Sequence, residues 1–398
     1  MSVEVADLAA RWEALRAIGL SERGTNRLAW TAEDEAAGAW FAQQAASCGL
    51  RVERDAAGNR WAVPDAPGPW WAVGSHTDAV RDGGAYDGAL GVAAAFAIAA
   101  AATRPLAVVA FADEEGARFN TPTFGSRALT GVLDVDDVLA RRDDDGVALA
   151  DALAAAGVDP AGLAGAPAAL ARLRGFVELH IDQSLDVARA GTPAGVVGGL
   201  AARLRVRVTL RGTADHAGTT PPEDRRDALL AAARLVAAAD DLRGGDARLR
   251  VTAGRILVAP NALTSIASDV TTWLDARSPD EAVLDAWLAG LRDAAAALQQ
   301  RTGVAITTAV ESRGPAVAFD AGLRDRLRAA GDPGDAPVPE VLCWAGHDAG
   351  ILAPSVPAAM VLVRNATGVS HSAAEHVELT DAAAAATLVL RAVEGLPA

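Results

Sequence analysis

Lysine is missing from this chain of 398 residues, so every one of its 36 basic side chains is an arginine. Acidic side chains number 51, giving a formal net charge of -15 and a sequence pI of about 4.8. Such an acidic balance argues against nucleic acid or an anionic membrane as a partner, because phosphate binding needs a basic surface. Cysteine is scarce as well. Cys48 and Cys343 alone build neither a disulfide framework nor a cysteine-based zinc site, and a reducing, cytoplasmic location is expected. Long apolar runs are absent. The longest, near 92–102, is too short and too alanine-rich to span a bilayer. The acidic first residues lack the basic-then-apolar pattern of a signal peptide. What the chain does have is 51% hydrophobic residues, enough for a sizeable core, and a length that suits two domains.

Histidine is also sparse, and its placement is informative. The six are His76, His180, His216, His347, His371 and His376. The first five stand in glycine- or acid-flanked segments with loop character. His76 lies in Gly74-Ser75-His76-Thr77-Asp78, and Asp87 follows eleven positions later in a glycine-rich loop. Soon afterwards an apolar stretch ends in Asp113-Glu114-Glu115.

Apolar periodicity predicts two helices over 3–49 with a turn near 21–25, then strands over 52–63 and 70–74. A small-residue helix is expected over 89–102, a buried strand over 106–111, and an alanine-rich helical stretch over 147–174. Another strand, 176–180, ends in His180. Strand, loop, helix and strand in this order indicate an α/β sheet, whose ligands gather at the carboxyl ends of its strands. From 202 to 313 the pattern changes to strand, helix, strand, strand, helix, strand, which is the ferredoxin-like plan. The chain then returns to the first domain, with a strand at 358–363 and a helix at 381–394. A Pro/Gly/Asp loop is expected over 332–339.

Imidazole and carboxylate donors together suit zinc, manganese, cobalt or nickel. A dinuclear site needs terminal ligands on each ion and a shared carboxylate. His76, Asp87, Glu115, His180 and His371 are the candidates, with Asp87 the natural bridge. Glu114, beside a ligand, is the candidate general base. Asp78 is expected to orient the His76 ring. Each has a plain alternative: a loop histidine, a charged strand end, or an Asx turn at Asp87-Gly88. Their order and matching strand-end contexts favour the joint metal reading.

At these residues the chain resembles the dinuclear-metal amidohydrolases of the aminoacylase and carboxypeptidase superfamily. More closely, it resembles the branch containing N-carbamoyl-L-amino-acid hydrolase, allantoate amidohydrolase and yeast-type β-ureidopropionase. The matching stretches include 113–119 (DEEGARF), 178–183 (ELHIDQ), 215–221 (DHAGTTP), 345–349 (AGHDA) and 368–375 (GVSHSAAE). They cover nearly the whole chain. The resemblance implies a mixed-sheet α/β metallohydrolase domain, 1–201 and 314–398, with an inserted ferredoxin-like α+β lid and dimerisation domain, 202–313. It implies one ion on His76, Asp87 and His180, a second on Asp87, Glu115 and His371, and Glu114 as base. His216 would reach the partner's site in a homodimer and polarise the scissile carbonyl. Gln183 and Arg277 match substrate-contacting positions, and His347 is read as structural or supporting.

Three departures bear on the substrate. Thr264 stands where the family usually has an asparagine that holds the substrate carboxylate, with Asn261 nearby as a substitute. Ser184 replaces a usual glycine, and Ala374 a usual proline. The implied substrate is a small ureido or amide acid, first an N-carbamoyl-L-amino acid. Allantoate, a dipeptide or N-acyl amino acid, and non-catalytic binding on the same fold stay open.

Overall fold

The computed structural model of the protein describes residues 1–331 and 336–396; part of the loop expected at 332–339 therefore lies outside the described residues. In chain order the principal strands are β1 (Arg51–Arg54), β2 (Arg60–Val63), β3 (Trp70–His76), β4 (Ala107–Phe111), β5 (Leu173–Ile181), β6 (Ala194–Leu200), β7 (Ala202–Arg211), β8 (Arg250–Ala259), β9 (Asp269–Ser278), β10 (Ala305–Gly314), β11 (Glu340–Cys343) and β12 (Ala358–Val363). The chain divides into two compact units, Met1–Gly198 with Ala318–Ala398, and Gly199–Val317.

The first unit is built on a mixed sheet in the order β6-β12-β5-β3-β4-β2-β1, with β11 beside β6. Its centre, β12, β5, β3 and β4, is parallel; β6, β2 and β1 pair antiparallel at the flanks. The central strands are buried on both faces, as a parallel sheet covered by helices requires. The helix Ala89–Ala101 follows β3 and is buried over its first ten residues. At Gly91 it presses closely against the sheet. A methyl at Gly91 would collide with the Leu179 carbonyl oxygen on β5 and crowd Ser75 on β3.

Where 52–63 reads as one strand, the structure has a hairpin, β1 and β2. Asp55 Oδ1 accepts from the backbone N–H groups of Ala57 and Asn59, and Gly58 takes a φ of +83°, so the run is broken by an Asx turn. The stretch 147–174 is not one helix either. It holds Leu149–Ala155 and, after Asp159-Pro160, a run of 3-10 turns to Arg172. Proline lacks the N–H that an α-helix interior needs. Strands β6 and β11 had no clear signal in the sequence.

The second unit is a four-stranded antiparallel sheet in the order β8-β9-β7-β10, packed on the helices Ala228–Asp241 and Glu281–Thr302. On β7, Leu204, Val206, Val208 and Leu210 are buried while Arg205 and Arg207 face out, the two-residue period of a half-buried strand. Asp227 and Asp280 cap the two helices through their carboxylates. β8 is an edge strand, and its Ile256 and Leu257 are about half exposed, at 48% and 50%.

Candidate metal centre

The carboxyl ends of the four parallel strands carry the site. His76 is the last residue of β3, His180 the next to last of β5, and Glu114 and Glu115 lie just past β4. His371 comes from the loop after β12 and takes a left-handed φ of +55°. The sheet thus delivers residues from four segments to one place, which is why distant sequence positions meet.

Asp87 is the hub. Its Oδ1 lies 3.3 Å from His76 Nε2 and 2.9 Å from His180 Nε2. Its Oδ2 lies 3.5 Å from His371 Nε2, which is itself 3.2 Å from Glu115 Oε1. Two triads result, His76-Asp87-His180 and Asp87-Glu115-His371, each compact enough to hold one metal ion. One carboxylate faces both, as a bridge must.

The ring hydrogen bonds leave the correct nitrogens open. His76 Nδ1 meets the Asp78 carbonyl oxygen at 3.1 Å, and His180 Nδ1 meets the Ile181 carbonyl oxygen at 3.0 Å. A carbonyl only accepts, so each Nδ1 carries a proton, and each Nε2 would present its lone pair once a cation is bound. Both Nε2 atoms are buried and face Asp87 Oδ1 outside hydrogen-bond geometry. A coordinated cation would satisfy these nitrogens and the carboxylate together. Gly88, at a φ of +60°, leaves room for the His76 ring, which a methyl there would strike. The residues present therefore fit a pair of divalent cations.

Protonation in the metal-free site reflects this crowding. Burial alone would lower His76, but Glu114, Asp78 and Asp87 outweigh it and hold the ring well above its usual range. Burial likewise opposes the charge on Asp87, but His180 and His76 overcome it and keep that carboxyl well below the usual range. Glu114 is pushed well up, by burial first and by Asp348, Glu115 and Asp78 next. Such a carboxyl is suited to accept a proton near neutral pH. The hydrogen bond to Glu115 raises His371 to about 9.

Asp78 has a broader role than orienting His76. Its carboxylate accepts the backbone N–H groups of Glu114 and Glu115, both at 3.1 Å, and so fixes the acidic turn after β4. Its carbonyl, rather than its carboxylate at 3.5 Å, makes the closer contact to the His76 ring. Gln183 Nε2 donates to Asp87 Oδ2 at 2.8 Å, placing its amide at the edge of the second triad.

Sequence reasoning passed over Glu375. Its Oε2 accepts from the N–H groups of Tyr86 and Asp87, at 2.8 and 3.0 Å, and its Oε1 accepts from Ser370 Oγ at 3.0 Å. It ties the His371 loop to the backbone of the bridging aspartate. Glu178 does the same between strands, accepting from Ser75 Oγ and Ala349 N at 2.9 and 2.8 Å. The available signal was the position of both acids inside ligand-bearing motifs.

In the second unit, His216, Asn261 and Thr264 come together on two paired loops. His216 bridges to Ser265, and Ala217 N–H donates to the Thr264 carbonyl at 2.9 Å. His216 Nδ1 accepts the N–H groups of Gly218 and Thr219, at 3.0 and 3.1 Å. The neutral ring therefore carries its proton on Nε2 and can donate it outward. Arg277 lies elsewhere, near the far end of β9, with Nε donating to Asp275 Oδ1 at 2.8 Å. The Asn261 and Thr264 loop adjoins the other end of that strand, at Asp269 paired to Ala259. Eight residues of extended chain put the two ends about 27 Å apart.

Comparison with known proteins adds a second line. Residues 62–395 match the family Peptidase family M20/M25/M40. An N-carbamoyl-L-amino acid amidohydrolase of Geobacillus stearothermophilus is 34% identical, over 93% of this chain and 93% of the relative. The allantoate amidohydrolase of Escherichia coli K12 is 32% identical, over 90% of each chain. Among solved structures, a hydantoinase/carbamoylase family amidase from Burkholderia ambifaria superposes with a TM-score of 0.86 at 32% identity, covering 98% of this chain and 97% of the other.

Proposed function

Because the chain belongs to Peptidase family M20/M25/M40, a family of metal-dependent hydrolases, we propose that it hydrolyses the carbamoyl C–N bond of an N-carbamoyl-L-amino acid or a related ureido acid. The observation that carries this reading is Asp87, shared between two triads, with Glu114 Oε2 3.8 Å from His76 Nε2. Two divalent ions, from zinc, manganese, cobalt or nickel, would be held by those triads; when bound they make a water more acidic and polarise the carbonyl oxygen.

The protein's own groups do the rest. Glu114 takes a proton from the attacking water as the water oxygen bonds to the carbamoyl carbon. It returns that proton to the amino-acid nitrogen as the C–N bond breaks. The free amine leaves, and the carbamic acid falls to carbon dioxide and ammonia. His216, with its proton on Nε2, donates to the carbonyl oxygen as negative charge develops there. Arg277 grips the substrate carboxylate, for which a guanidinium fork is suited. Gln183 adds a contact to substrate from its own chain, while Asn261 and Thr264, whose loop pairs with that of His216, would arrive together with His216.

The strand geometry supports a homodimer. His216 and Arg277 stand toward opposite ends of the second unit's sheet, too far apart to grip one small substrate from the same chain. In a pair of chains, Arg277 serves its own site and the partner subunit's His216 completes it. The exposed apolar side chains on edge strand β8 support a contact between second units, which would act as lid and dimerisation domain. Among the described residues no single helix is long and apolar enough to cross a membrane, and both cysteines are free, in keeping with a cytoplasmic location.

The test is a panel. Protein reconstituted with each metal is assayed for ammonia and amine release from N-carbamoyl amino acids, allantoate, ureidopropionate, dipeptides and N-acyl amino acids. N-carbamoyl substrates should turn over fastest, and Glu114→Gln should abolish turnover while metal content persists. Allantoate as the preferred substrate would move the assignment to the neighbouring activity. Full activity in Glu114→Gln would remove Glu114 as the base.

A further inference from the structure

A pair of cations accounts for the unpartnered nitrogens of His76 and His180, but not for those of His347. That ring is 3% exposed, and neither Nδ1 nor Nε2 has a hydrogen-bond partner. It belongs to neither triad. Burying an imidazole with both nitrogens unpaired is costly, and packing alone does not explain it.

The backbone around His347 is held firmly. It is the N-cap of the short helix Asp348–Leu352. The next residue, Asp348, accepts from Ser126 Oγ, and Ala349 N–H donates to Glu178 Oε2 at 2.8 Å. The ring is thereby set 4.4 Å from the His180 ring, between centroids, and its Nδ1 lies 4.0 Å from Glu114 Oε1. The other carboxylate oxygen of Glu114, Oε2, faces His76.

We propose that His347 is a positioning residue for Glu114, its Nδ1–H hydrogen-bonding Oε1 so that Oε2 stays turned toward the metal-binding nitrogens and the attacking water. The gap to close is about 1 Å, within reach of a small side-chain rotation, and such contacts are often long before substrate binds. This rests on the hydrolytic reading above. It assigns His347 to the reaction rather than to the core.

The experiment compares His347→Phe, which keeps a ring of similar shape, with His347→Gln, which restores a polar group at similar reach. Metal content, melting temperature, KM and kcat are measured on the full chain with a substrate the wild type turns over. A wild type inactive on every ureido substrate would count against the proposed function itself, and a defect confined to the variants speaks only to His347. For the Phe variant we expect unchanged metal content, KM within about threefold, and kcat lower by about 10–100-fold, with Gln recovering part of the loss. Because His347 acts through Glu114, the recovery in the Gln variant should appear in kcat and not in KM. An unchanged kcat, a loss that tracks metal content or melting, or a Gln variant no better than the Phe variant would each overturn the proposal. Should the Phe variant not fold, His347→Asn replaces it in the same comparison; failure of all three variants to fold would make His347 a residue of the core and overturn the proposal.

Discussion

Removing Glu375 should loosen the bridge between the two triads. In the native site its carboxylate satisfies two buried backbone N–H groups, those of Tyr86 and Asp87, and the hydroxyl of Ser370. Glu375→Ala leaves both N–H groups unpaired, at about 1–3 kcal/mol each, so the cost to stability is about 2–6 kcal/mol. That corresponds to a fall in melting temperature of about 3–10 °C. Because the freed segment carries Asp87, metal affinity should drop about 10–100-fold. Glu375→Gln keeps a carbonyl oxygen in place to accept both N–H groups and should lose much less. Thermal melts and chelator-competition titrations of the two variants read both quantities. An alanine variant that matches the wild type, or a glutamine variant that falls as far as the alanine one, would refute the bracing role. Acid–base behaviour gives a further check. Burial, then the charge of Asp87, raises Glu375 from 4.5 to about 7 in the metal-free protein. The native state therefore binds this proton more tightly than the unfolded chain. Its contribution to stability is complete below about pH 4.5 and is lost as the pH rises through 7. Urea midpoints of metal-free protein at pH 5 and pH 8 should differ less in Glu375→Gln than in the wild type.

Other perturbations test other parts. Chelation should lower the melting temperature and abolish hydrolysis, with recovery on adding back zinc, manganese, cobalt or nickel; a melting temperature indifferent to chelator would contradict the unpaired Nε2 atoms of His76 and His180. Gly91→Ala should destabilise the first unit by about 1–3 kcal/mol or more, because the added methyl meets the backbone oxygen of Leu179, read by denaturant titration against Ala95→Gly as a control in the same helix. Mixing inactive His216→Ala and Arg277→Ala proteins under subunit exchange should restore about a quarter of wild-type activity, since each mixed dimer regains one intact site. No restoration would mean that both residues serve the site of one chain.

Much of the centre was readable because the strand-end grammar is local. An apolar run that stops at a histidine or a pair of carboxylates marks the carboxyl end of a parallel strand, and His76, His180 and Glu114-Glu115 carry that mark. The braces were not readable in the same way. Glu375 and Glu178 accept from N–H groups of segments remote in the chain, and no spacing rule pairs a carboxylate with a distant amide. The break at Asp55 was missed because the turn depends on a side chain folding back on its own backbone. The separation of Arg277 from His216 became visible only with the strand register, since His216 bridges to the loop joining β8 and β9 while Arg277 lies near the far end of β9.

At Gly91 the helix Ala89–Ala101 meets strands β3 and β5 with bare backbone. At that point the helix is gauged against β5 by peptide against peptide, with no side chain of its own to retune the distance. Variation in what this enzyme accepts is then expected from the surrounding loops rather than from this contact. Substitutions at Gly91 will mostly register as failures to fold rather than as new preferences.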